Sequence, residues 1–189
     1  MNIISLLTTD HRNVDALFTE FAHTEPDDLE SLGRLRYLIL KQLAIHAEIE
    51  EQTLYPALRA EAPDDVLEAL EEHHAVKATL AELERMPPSA ERFRAKMTVV
   101  IENVRHHVEE EEGSDGLFDV ARKTLKPTQM EEMGERAEQL RKAGPTRPHP
   151  FAPDTPPLNV LVGLPVAVLD RVVTSARQVV ERNILRKAG

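Results

Sequence analysis

The chain of 189 residues has no cysteine and no tryptophan, and only 4% of it is aromatic. Without thiols it can form no disulfide, iron–sulfur cluster, thiolate zinc site or cysteine nucleophile. Glycine is also scarce, at seven residues, and no Gly-rich phosphate loop or serine nucleophile elbow is present. Basic residues number 23 against 33 acidic ones, for a net charge of −10. Nucleic acid needs a basic footprint, so it is excluded as a partner. No run of eighteen or more apolar residues occurs, so no transmembrane segment is expected. The opening Met1-Asn2-Ile3-Ile4-Ser5-Leu6-Leu7 lacks a positive start, and its apolar run breaks at Thr8-Thr9-Asp10. No signal peptide is read there, and the expected location is cytoplasmic.

What the chain does have is helical periodicity. Ile3, Leu6, Leu7, His11, Val14, Phe18 and Phe21 recur at three- and four-residue steps and mark one amphipathic helix. Past Pro26-Asp27-Asp28, a second stripe runs Leu32, Leu35, Leu38, Ile39, Gln42, Leu43, His46, Ile49, Glu50 and Leu54, with Pro56 expected to bend its end. Pro63-Asp64-Asp65 opens a third helix, whose stripe carries Val66, Leu67, Leu70, His73, Val76, Lys77, Leu80 and Leu83. Pro87-Pro88-Ser89 precedes a fourth, carrying Phe93, Met97, Val100, Val104, His107 and Glu111 up to Gly113. The expectation is an all-α, up-down-up-down four-helix bundle over residues 1–125. An additional helix is expected at 126–144, a Pro-rich linker at 145–157 and an amphipathic C-terminal helix at 158–189. The charge is divided accordingly: 145–189 holds six basic and three acidic residues, a balance of +3, against −13 for the rest.

Four of these helical stretches contain an inward-facing histidine. His11 lies between Leu7 and Val14, His46 between Leu43 and Ile49, His73 between Leu70 and Val76, and His107 follows Val100 and Val104. Glu50 and Glu111 follow His46 and His107 by four residues, which places each pair on one helix face. Burying one charge unpaired costs several kcal/mol, roughly, and four imidazoles with two carboxylates would be intolerable without a counterion. A nitrogen- and oxygen-rich metal site resolves this, with room for two cations. The donor set suits iron, with manganese or zinc as alternatives, and does not suit Cu(I). His74 and His106, about 100° away from the inward histidines, are expected at the surface or behind the ligands. Glu51, Glu109, Glu110 and Glu112 are expected outside.

The segments Asp10-His11-Arg12-Asn13-Val14, His46-Ala47-Glu48-Ile49-Glu50-Glu51, Glu72-His73-His74-Ala75-Val76-Lys77 and His107-Val108-Glu109-Glu110-Glu111 resemble the four signatures of hemerythrin-like, HHE cation-binding domains. The similarity covers roughly residues 3–125. With its Pro-rich stretch from His149-Pro150 to Pro156-Pro157, the whole chain resembles actinobacterial members. The resemblance implies two iron ions, oxo- or hydroxo-bridged, within the bundle. His11 and His46 would bind one, His73 and His107 the other, and Glu50 and Glu111 would bridge them. Two departures set the chain apart from the oxygen carriers. Lys77 stands where a fifth histidine is found in them, and the last carboxylate is a Glu at +4 rather than an Asp at +5. Water, a neighbouring carboxylate or a phenol such as Tyr55 would have to complete one iron.

The implied chemistry is a non-haem di-iron centre reacting with O2, H2O2 or NO in oxidative or nitrosative stress. Weak catalase-like peroxide removal is associated with some actinobacterial relatives. A second expectation stays open: a metal-dependent sensor or binding protein without turnover, reporting through its C-terminal tail. That tail could dock on the bundle, a second subunit or a membrane surface.

Overall fold

The computed structural model describes residues 1–143, and within them every element is helical. The four long helices are α1 (Ile3–His23), α2 (Leu29–Gln52), α4 (Pro63–Arg85) and α5 (Phe93–Glu112). Three shorter ones are α3 (Leu54–Leu58), α6 (Leu117–Thr124) and α7 (Pro127–Ala143). The expected linker and C-terminal helix lie outside the described residues.

Three of the four long helices start on a local signal. The Asn2 side chain accepts from the Ser5 amide at 2.9 Å, and that of Asp28 accepts from Ser31 at 3.0 Å. Such caps contribute about 1 kcal/mol each. α4 begins on Pro63, whose missing N–H costs nothing at a first helical position, and Asp64 and Asp65 complement the helix dipole.

The second stripe does not simply bend at Pro56. Its ring would clash with the carbonyl four residues earlier, at Gln52, and its missing N–H leaves that carbonyl unbonded. α2 accordingly stops at Gln52, Thr53 leaves helical geometry (φ −127°, ψ −66°), and α3 restarts at Leu54. Leu67 also departs from its expected inward place and is 47% exposed. It lies one residue past the inward Val66, about 100° around the helix.

α1 packs on α2, α2 on α4, α4 on α5 and α5 back on α1, so the four long helices close into a ring. The core has two parts. Ile3, Leu6, Leu7, Ile49, Tyr55, Leu58, Leu117 and Phe118 fill one end, with α3, α6 and α7 contributing. Phe18, Phe21, Leu32, Leu35, Ile39, Leu83, Phe93 and Met97 fill the other. His11, His46, His73 and His107 fall between these two apolar layers, each flanked by both or by a neighbour in one of them.

Two glycines permit close backbone approaches. A β-carbon at Gly116 would lie 2.1 Å from the Glu110 carbonyl oxygen, so only glycine lets α6 fold back over the end of α5. The preceding Asp115 takes a left-handed conformation (φ 67°), which Asp tolerates better than most residues. At Gly134 a β-carbon would meet the Met1 carbonyl at 2.0 Å, which brings α7 directly against the start of α1.

Candidate metal centre

α1, α2, α4 and α5 each bring one imidazole to the polar layer with Nε2 facing the middle. His11 Nε2 and His46 Nε2 are 3.1 Å apart, and His73 Nε2 and His107 Nε2 are 3.3 Å apart. Glu50 Oε2 stands 3.1 Å from His46 Nε2 and 3.3 Å from His73 Nε2. Glu111 Oε2 lies 3.5 Å from both His11 Nε2 and His107 Nε2. The six residues read from the sequence therefore converge. They form two donor sets, His11, His46, Glu50 and Glu111 on one side and Glu50, His73 and His107 on the other.

The outward nitrogens explain why Nε2 faces in. Nδ1–H of His11 donates to Glu112 at 2.7 Å, that of His73 to Glu51 at 2.9 Å, and that of His107 to Glu72 at 2.7 Å. Asp10 stands 3.7 Å from His46 Nδ1, an ion-pair separation rather than a hydrogen bond. A carboxylate can only accept, so each hydrogen-bonded Nδ1 donates, and whenever the imidazole is neutral its Nε2 is the nitrogen left to ligate. The supply runs around the bundle in one sense. α1 gives Asp10 to α2, α2 gives Glu51 to α4, α4 gives Glu72 to α5, and α5 gives Glu112 back to α1.

Three of these carboxylates meet cations in turn, Glu112 only loosely, with the exposed Arg12 at 3.6 Å. Arg141, from α7, grips Asp10 with two bonds of 2.9 and 2.7 Å. Lys77 binds both oxygens of Glu51, at 2.5 and 2.7 Å. Lys77 thus neutralises the carboxylate that orients His73. Tyr55, fully buried at the end of the break after α2, donates to Glu111 Oε1 at 2.9 Å. Its hydroxyl is also 3.4 Å from Glu50 Oε2 and 3.3 Å from His73 Nε2.

Electrostatics pull the members of the cluster apart. Burial and the neighbouring His46 push His11 down to about 4. Burial opposes charging of His46 and His73, but the carboxylates around them prevail and raise them to about 10 and about 9. For Glu50 the histidines overcome burial and hold it well below the usual range. Glu111 goes up to about 7, through burial and the charge of Glu50. Burial and Glu111 keep the Tyr55 phenol protonated.

The residues fit bound cations. Oε1 of Glu50 and Oε2 of Glu111 are buried with no hydrogen-bond partner, an arrangement that carboxylates in a core rarely tolerate. In their neutral, ligating form the imidazoles would face one another and Glu111 lone pair to lone pair at 3.1–3.5 Å, and a cation between them removes that repulsion. Donors bonded to one ion at about 2.1 Å are separated by about 3.0–3.5 Å, which is the spacing here.

A sequence model of the hemerythrin HHE cation binding domain matches residues 2–115. The chain belongs to this family. As a hemerythrin-like protein it binds metal cations, and its His/Glu cluster is the part of the structure suited to them. A crystal structure of an HHE domain-containing protein from Mycobacterium kansasii is similar to it, with a TM-score of 0.62 and 25% identity, covering 75% of this chain and 88% of that one. An uncharacterized hemerythrin-like protein of Schizosaccharomyces pombe is 27% identical over 167 residues, 86% of this chain and 80% of the relative. A protein of Nostoc sp. described as a DNA nickase is 32% identical over 133 residues, 70% of this chain. The chain spans only 37% of that relative's length.

Sequence reasoning put Glu51 and Glu112 outside, and the structure corrects both. Glu51 is 2% exposed, and Glu112 is half-buried against His11. In a closed ring of helices, a residue turned about 100° from the core faces the neighbouring helix, not water. One signal was available: Asp10, Glu51, Glu72 and Glu112 each directly adjoin an inward residue in the sequence. Nothing in the pattern pointed to Arg141. His74 and His106 are exposed, as expected.

Proposed function

We propose that the hemerythrin-like centre holds two irons. His11 and His46 would serve one, His73 and His107 the other, and Glu50 and Glu111 would lie between them. The observation that carries this reading is the placing of Glu50 in both donor sets. One carboxylate shared by two sets is what a bridged pair requires, whereas a single ion would leave the other set unserved. When bound, such a pair supplies reversible one- and two-electron exchange with O2, H2O2 or NO. The imidazole–carboxylate donors favour iron, with manganese and zinc as competitors.

The protein's own residues provide orientation and access. Outer carboxylates fix the imidazoles, and the two apolar layers keep water out. Val14, Leu43, Val76, Leu80, Val104 and Lys77 line a cavity of about 30 Å³ that reaches all four inward histidines. One water needs about 10–15 Å³ on this measure. A molecule of two heavy atoms therefore fits, and O2, H2O2 and NO each have two. The role that follows is a cytoplasmic protein of oxidative or nitrosative stress, with weak catalase-like peroxide removal among its activities.

Anaerobic reconstitution with Fe(II), metal counting and absorption spectra after each oxidant test this reading. The expected result is two irons per chain and new ferric bands. Fewer than one iron per chain, or no spectral response, sinks it. The Arg141–Asp10 contact supports a second reading, a sensor in which the state of the centre is felt by α7. A sensor would react once with peroxide and stop, so steady-state peroxide consumption separates the two. The name of the Nostoc relative raises metal-dependent DNA nicking, but the net charge of −10 and the buried donors oppose it.

A further inference from the structure

A cation must reach a centre enclosed by four helices, and the molecule has an open cleft at one end of it. The cleft has a volume of about 400 Å³ and lies between the start of α4 and the end of α5. Its walls carry Asp65, Glu68, Glu109, Glu110 and Asp115, and its floor is made by Glu72, His107 and Glu111. Among the described residues no lysine or arginine lines it. The floor belongs to the centre itself. Glu111 is 2% exposed with one oxygen lacking a hydrogen-bond partner, and His107 is 6% exposed. At its edge, Glu72 and Glu110 of the lining meet the exposed His106 just outside it: the three bring donor atoms within 4.8 Å of one another, and His106 Nε2 is 3.2 Å from Glu110 Oε1. Glu72 is common to rim and floor, because its other role is to accept from His107 Nδ1 at 2.7 Å.

We propose that this cleft is the loading path for divalent cations, with Glu72, His106 and Glu110 as the station where an incoming ion exchanges water for protein donors before passing to Glu111 and His107. This rests on the reading of the buried cluster as the metal centre. The physical basis is twofold. A concave surface lined by one sign of charge concentrates the opposite ion and raises capture rates by about 10- to 1000-fold. The oxygen and imidazole donors of the rim bind hydrated first-row cations loosely, as three partly exposed ligands should. The contrast with the apolar cavity of about 30 Å³ is one of chemistry: its walls suit a small uncharged molecule and repel a hydrated ion. Cation and oxidant would thus approach by different openings, which meet at Glu72 and His107.

The test is the rate at which the metal-free full chain takes up Fe(II) under anaerobic conditions, followed beside the final metal content. The variant E68Q/E109Q/E110Q removes three carboxylates from the cleft, and H106A removes the rim imidazole; none of these lies among the inward donors. The triple variant should load about tenfold more slowly at low salt, with a smaller loss of rate on adding salt and an unchanged final content. H106A should slow loading at both high and low salt. A control, E25Q/D27N/E30Q, removes three exposed carboxylates from the opposite end of the bundle and should load at the original rate. Equal rates for the cleft variant and the original chain overturn the proposal, as does equal slowing by the control. Reduced final content in the cleft variants, with helical circular dichroism intact, also overturns it by making those residues retained ligands. Failure of the original chain to take up metal at all falls on the centre rather than on the path to it.

Discussion

The two halves of the centre use the same device but anchor it differently. On the His11/His46 side, the carboxylate facing His46 is gripped by Arg141, which lies outside the four-helix ring and 131 residues away. On the His73/His107 side, Glu51 is held by Lys77 of α4, the helix that carries His73 itself. The support of His46 therefore depends on the docking of α7, whereas Glu51 is held within the ring, as Glu112 is, more loosely, by Arg12 of α1. The His73/His107 half also has Tyr55 beside it, 3.3 Å from His73 and 3.5 Å from His107. The lesson concerns Lys77. It supplies from within the ring the counter-charge that Asp10 obtains from a separate helix.

The largest expected effect erases the distinction. Glu50→Ala removes the donor common to both sets, and metal content should fall from the proposed two ions per chain to below one, measured by elemental analysis. Retention of two would contradict a shared carboxylate. Next come His11→Ala and His73→Ala, each of which should leave about one ion. If either variant lost both ions, the halves would be one inseparable unit.

The comparison is tested most directly by Arg141→Ala against Lys77→Met. Loss of an outer support lowers metal affinity by about 10- to 100-fold. Competition with a chelator should show a weakened single ion in each variant, in opposite halves, identified by combining each with His11→Ala or His73→Ala. An identical response of both ions to Arg141→Ala would mean that α7 braces the whole centre.

How much of this was legible beforehand depends on where each partner lies. The six inward donors could be read because histidine, glutamate and apolar residues share one helical stripe, and that geometry is local. The starts at Pro63 and the stop at Gly113 were legible for the same reason. Glu51 was misread because one helix alone gives no sign of what stands at its flank. Arg141 was invisible because its meeting with Asp10 depends on α7 crossing α1, which Gly134 permits and no periodicity announces. The break after Gln52 was half legible: Pro56 marked the place, but not that Tyr55 would thereby be delivered to the centre.

A smaller effect is expected from Tyr55→Phe. It leaves Glu111 Oε1 without its donor and should cost about 1–3 kcal/mol in the metal-free chain, read from denaturant unfolding. Metal content should stay at that of the original chain, and a shift in the ferric spectrum would show that the phenol reaches an ion. The smallest expected effect is protonic. His46 is raised to about 10 and His73 to about 9 from an ordinary 6.5, so both carry a proton at pH 7. Ligation needs neutral imidazole, so loading releases protons, and apparent affinity rises with pH until those values are passed. Calorimetry in buffers of different ionisation enthalpy measures the release. No release at pH 7 would contradict one charged histidine in each half.

The passing of carboxylates from helix to helix has a mechanical corollary. Because the sequence α1, α2, α4, α5 returns to its origin, the outer acids act as a hoop around the barrel of the bundle. A stave lost anywhere opens the hoop everywhere, since each imidazole is steadied by a helix other than its own. Stripping the ions should therefore loosen all four helix seams together, with no single helix peeling away first.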